Sequence, residues 1–159
     1  LSDLEMKKTS FVAAAALALS FAMPASAQMS VEDQIEARQA AYQFMSWNMG
    51  KIKAQAVDGE VEFNADQMKA AANAIAAVAN SGMGALYSPD STLDKAENTR
   101  LKPEFFEQPE KAREVGMNFG REANKLQEVA ASGDKAALAR QFAAVGETCK
   151  ACHDNFRAK

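Results

Sequence analysis

The stretch "DKAALARQFAAVGETCKACHDNF", residues 134–156, decides how this chain folds and what chemistry it carries. Gly133 is a helix stop and Asp134 directly after it a helix cap, so a new helix begins here. Leu138, Phe142, Val145, Cys149, Cys152 and Phe156 then recur at intervals of three and four, a stripe that a helix buries against its neighbours. Residues three and four apart share a helix face, so Cys149, Cys152 and His153 project to one side of it. Positions 149 to 153 hold both cysteines and the only histidine of the 159-residue chain.

Working outward, three more segments carry the same period. Ser30-Val-Glu-Asp33 resembles a capping box, and Ile35, Arg38, Tyr42, Met45, Met49 and Ile52 follow at spacings of three and four, predicting a helix over about 30–54. Asn64-Ala-Asp-Gln67 offers a second cap, and Met68, Ala72, Ile75 and Val78 lead to a glycine stop at Gly82. This segment is alanine-rich, which lets neighbours approach closely. A third helix opens near Pro109, a favoured first-turn position, and runs through Val115, Phe119, Leu126 and Val129 to Ser132-Gly133. Between the second and third, Gly84, Pro89, Asp90, Ser91, Thr92, Asn98 and Pro103 break the pattern. That region reads as a long connection with a helical turn at Pro103–Phe106. No segment alternates with period two. The expected fold is all-α, an antiparallel four-helix bundle with short, long and short connections.

The C-x-x-C-H sequence at 149–153 admits several chemistries. A thioredoxin-like dithiol sits where a strand meets a helix N-terminus, whose partial positive charge lowers the thiol pKa. Here the pair lies about four turns into a helix with no strand before it. Structural zinc needs four ligands, and the chain has two cysteines and one histidine. A plain disulfide leaves the neighbouring histidine unexplained. Covalent haem attachment uses all three, with Cys149 and Cys152 adding to the porphyrin vinyl groups and His153 as the iron ligand. The cofactor expected is one haem c per chain.

The N-terminal residues bear on where this happens. Met6-Lys7-Lys8, an apolar run from Phe11 to Met23 and Ala25-Ser26-Ala27 stand in the order of a secretory leader, with cleavage expected before Gln28. The apolar run is short for a membrane span, so a retained anchor is the weaker reading. The five residues ahead of Met6 read as non-native or as a misassigned start. Residues 28–159 are then one haem domain, exported to an oxidising compartment and not inserted in a membrane. The net charge of −3 gives no basic face for nucleic acid.

With "EARQAAYQFM" at 36–45, "KPEFF" at 102–106 and "CKACHDNFR" at 149–157, the chain resembles the cytochrome c′ family along the whole of residues 28–159. The resemblance implies a bacterial periplasmic four-helix haem protein. Its members are commonly homodimers, with a pentacoordinate iron that binds nitric oxide or carbon monoxide and a role in electron carriage or nitric oxide handling. It implies no enzymatic turnover beyond weak nitric oxide reduction, and the redox partner stays unknown.

Matched by position, Arg38 and Gln39 correspond to the first-helix pair against the haem, and Tyr42 to the residue over the vacant iron face. Glu104 and Phe105 match the haem-edge segment of the connection, and Arg157 the basic residue four after the histidine. Each has a plainer alternative. Arg38 pairs with a propionate or snorkels to the bundle end. Tyr42 stands over the iron or fills core. Arg157 serves the site or only complements the helix C-terminus. Trp47, one residue off the core stripe, reads as packing or a dimer contact.

One histidine excludes bis-histidine ligation within a chain. A sixth protein ligand would have to be methionine, and Met45 and Met49 lie on the Tyr42 stripe. A methionine stripe is more often core. The expectation is an open sixth position crowded by Tyr42, with a His/Met-ligated electron carrier of the same fold as the alternative.

Overall fold

The computed structural model describes residues 29–159, so the expected leader and its cleavage site lie outside the described residues. Four long helices account for most of them. Helix α1 covers Val31–Ile52, α2 Ala65–Ala79, α4 Pro109–Ser132 and α5 Lys135–Phe156, and the single-turn α3, Glu104–Glu107, sits at the end of the long connection. The molecule is an antiparallel four-helix bundle.

The expected caps hold. Ser30 Oγ accepts from the Asp33 N–H at 3.0 Å, Asn64 Oδ1 from Gln67 at 3.0 Å and Asp134 Oδ1 from Ala137 at 2.9 Å, each satisfying an otherwise orphaned helix donor. Gly133, at φ +72°, takes the left-handed turn that ends α4 one residue before the α5 cap. Two boundaries differ from the periodicity. Helix α1 continues past Ile52 as a wider π-turn over Lys53–Val57, where buried Gln55 accepts from the Asn64 N–H at 2.9 Å and donates to Gln67 at 2.8 Å. Helix α2 ends at Ala79, and the left-handed Gly82 instead opens a short 3₁₀ turn, Met83–Leu86.

Helix α2 lies between α1 and α4, and α4 packs along α5, whereas α1 meets α5 only sparingly. The main core joins Met45 and Ile52 of α1, Met68 and Ile75 of α2, Leu126 of α4 and Leu138 and Val145 of α5. Ala71 and Ala72 of α2 and Ala123 of α4 are fully buried in it, the close approach that an alanine-rich helix permits.

Among the described residues no strand forms beyond one antiparallel bridge, Leu101 to Arg157, which ties the connection to the chain end. The Lys102 N–H donates to the Phe156 carbonyl and the Ala158 N–H to the Arg100 carbonyl, both at 2.9 Å. No described helix is long and apolar enough to cross a membrane.

Candidate haem site

On α5 the core stripe runs into the C-x-x-C-H sequence. Val145 is buried, Cys149 packs against the core cluster, and Cys149 and Cys152 are both half-buried, with His153 exposed one position further. Both cysteines are free. Burial pushes both thiols up from their usual pKa, and Cys149 adds to the effect on Cys152. A redox dithiol needs the opposite shift. Among the described residues no group of three or more His, Cys, Asp and Glu side chains could hold a metal ion.

The connection supplies the other wall. Tyr87 stacks on Phe105 with centroids 4.8 Å apart, and Phe105 meets the buried Phe156 of α5 edge-on at 5.4 Å. The Tyr42 hydroxyl of α1 lies 2.8 Å from that of Tyr87. Burial raises the pKa of both tyrosines, and the Cys152 thiol adds to the effect on each. Tyr42 keeps 40% of its surface exposed although its period is that of the core.

Arg38, 5% exposed, is the most heavily bonded side chain of the site. Its Nη1 donates to the Leu86 carbonyl at 3.1 Å and to Ser91 Oγ at 2.7 Å. Its Nη2 donates to the Ser91 carbonyl at 3.0 Å and to Thr99 Oγ1 at 2.8 Å. The guanidinium therefore does not snorkel; it is the peg on which the connection hangs, with Tyr87 4.9 Å away as a cation–π partner. Burial lowers its pKa, offset in part by the two tyrosines.

Gln39 donates to the carbonyl of Asn98 at 2.6 Å. Asn98 takes φ 57°, a conformation asparagine tolerates better than most residues. Glu104 is half-buried, 3.6 Å from Lys102. The Arg157 guanidinium reaches 3.4 Å from His153 Nδ1, the long end of hydrogen bonding. Met45 is buried in the core cluster and Met49 packs at its edge. Trp47 is 60% exposed, which excludes core packing.

Through Tyr87 and Phe105 the structure joins Arg38 and Tyr42 of α1 to Phe156 of α5, one turn beyond Cys152, while Gln39, Glu104 and Arg157 lie against Asn98, Lys102 and His153. Sequence reasoning missed Tyr87, Ser91 and Thr99. The only available signal was an aromatic residue in a polar connection just after Gly82 and Gly84.

Two neutral thiols on successive turns, an adjacent exposed imidazole, aromatic walls and guanidinium groups nearby fit a covalent haem. The family model for cytochrome C' matches residues 33–157. A cytochrome c′ of Allochromatium vinosum is 51% identical over 149 residues, spanning 92% of this chain and 95% of its own. The crystal structure of cytochrome c′ from Thermochromatium tepidum superposes with a TM-score of 0.75 at 50% identity, over 84% of this chain and all of that one. Another, 53% identical with a TM-score of 0.74 over 82% of this chain and 98% of its own, is a cytochrome c′ described as having an unusual ligand-controlled dimer dissociation. Variants of cytochrome c′ from Alcaligenes xylosoxidans, 27–28% identical with TM-scores of 0.72 over 82% of this chain and 97–98% of theirs, carry bound nitric oxide or carbon monoxide. Fold, motif and relatives agree: this chain belongs to the cytochrome c′ family, c-type cytochromes with covalently bound haem c.

Proposed function

We propose that this protein is an exported, periplasmic cytochrome with a pentacoordinate, high-spin haem that takes up nitric oxide or carbon monoxide and exchanges electrons, without turning over a substrate. Cys149 and Cys152 are the thioether anchors and His153 the proximal iron ligand. Haem supplies the redox couple and the gas-binding iron. The chain's own residues do the rest.

The observation behind this reading is that Tyr42 lies outside the core cluster with its hydroxyl 2.8 Å from that of Tyr87, while Met45 is buried in the cluster and Met49 packs against it. An aromatic ring over the sixth position admits small ligands that displace it and disfavours water. The His/Met alternative would require Met45 to leave the core cluster or Met49 to leave its packing against it. Arg38 has its four terminal N–H groups engaged by the connection, leaving Nε for a propionate. Gln39, Glu104 and Phe105 border the haem edge, and Arg157 steadies the His153 side. The gas-bound Alcaligenes proteins support the ligand class by likeness.

We also infer a homodimer through α1 and α2. The dimer described for the 53% identical relative supports it, as does the stacked pair Phe44 and Trp47, 5.9 Å apart and 50% and 60% exposed on α1.

Absorption spectra of oxidised and reduced protein, with and without carbon monoxide, test the iron assignment. A high-spin spectrum that changes on adding carbon monoxide to the reduced protein is expected. A low-spin spectrum with a sulfur-to-iron charge-transfer band would replace it by the His/Met reading.

A further inference from the structure

We infer that Tyr87, a residue of the connection, sets how readily Tyr42 yields to an incoming gas. The inference rests on the reading of Tyr42 as the group over the sixth position, and goes beyond it by naming what holds Tyr42 there.

Tyr42 lies outside the core cluster. Its one hydrogen bond among the described residues is the 2.8 Å contact of its hydroxyl with that of Tyr87. Tyr87, by contrast, is fixed by groups from three parts of the chain. Phe105 stacks on its ring at an interplanar angle of 18°, and the Arg38 guanidinium lies 4.9 Å from the ring centroid. Its own N–H donates to the Gly84 carbonyl at 3.2 Å. Arg38 binds Leu86, Ser91 and Thr99 on both sides of Tyr87 in sequence, which fixes the backbone that carries it. A hydroxyl held from three parts of the chain therefore restrains the Tyr42 ring.

A ligand that pushes Tyr42 aside must break this hydroxyl pair, so the bond adds to the cost of entry. One neutral hydrogen bond corresponds to about a fivefold change in an equilibrium constant. Tyr87 is a positioning residue: it acts on the ligand through Tyr42. The hydroxyl alone carries the effect, because stacking on Phe105 and the Arg38 contact survive in phenylalanine.

The test is a double-mutant cycle on the reduced holoprotein, with carbon monoxide as probe. Tyr87→Phe and Tyr42→Phe should each raise the carbon monoxide association rate and affinity by about fivefold. The double variant should match either single change, since both remove the same bond. A structural role for Tyr87 would act equally with tyrosine or phenylalanine at 42, and additive effects would overturn the proposal. So would an unchanged association rate in Tyr87→Phe. A wild-type protein that does not bind carbon monoxide at all would overturn the reading of Tyr42 and this inference with it, a result distinct from failure of the cycle alone.

Discussion

Arg38 reaches 53 residues along the chain to Ser91, donating to its hydroxyl at 2.7 Å from one terminal nitrogen and to its carbonyl at 3.0 Å from the other. A planar guanidinium makes this fork and still reaches Leu86 and Thr99; an ammonium cannot. Arg38→Ala should therefore cost about 3 kcal/mol, from charge-assisted bonds lost and buried acceptors left unpaired. Arg38→Lys should recover only part of that. Thermal unfolding checks it, with a fall of roughly 10 °C expected for the alanine variant.

The secreted protein is predicted to begin at Gln28 and to carry one haem that survives acid–acetone extraction. Cys149→Ala or Cys152→Ala alone should weaken attachment, and the double variant should leave a poorly folded bundle, because Cys149 adjoins the core cluster. Intact mass and far-ultraviolet circular dichroism read the two effects. A double variant of full helicity without haem would show that the cofactor does not complete the core.

The four long helices are legible in the sequence because period and caps are local properties, and Asp134, Asn64 and Ser30 announce their helices within four residues. Cys149, Cys152 and His153 are legible for the same reason. The partners of Arg38 are not. Leu86, Ser91 and Thr99 lie in a connection without periodicity, and only the folded path of that connection brings them to α1. Tyr42 shows the converse limit: its period is that of a core residue, yet it lies outside the core cluster. The π-turn after Ile52 escaped because Gln55 is drawn inward by Asn64 and Gln67, a tertiary cause.

Alkaline pH should destabilise the protein through the tyrosine pair. Burial raises the pKa of both Tyr42 and Tyr87, so the fold prefers their neutral forms. Their contribution is complete below the ordinary tyrosine value of about 10. Above it the unfolded chain loses protons that the folded chain keeps, and stability falls as pH rises. Urea midpoints between pH 8 and pH 11 should decline above about pH 10, and less steeply in Tyr87→Phe.

Trp47→Glu should yield a monomer at micromolar concentration in sedimentation, where wild type runs as a dimer. Trp47 contributes little to the monomer's interior, so the change should alter monomer stability by no more than about 0.5 kcal/mol. A wild-type monomer would remove the dimer claim and leave the haem site untouched.

Carbon monoxide binding to reduced Tyr42→Ala, set against wild type, tests the account of the iron's open side most directly. With the ring gone, no bulky group has to move, and both affinity and association rate should rise. An unchanged affinity, in a wild-type protein whose spectrum shows no sulfur-to-iron band, would contradict both the tyrosine and the methionine accounts of that face.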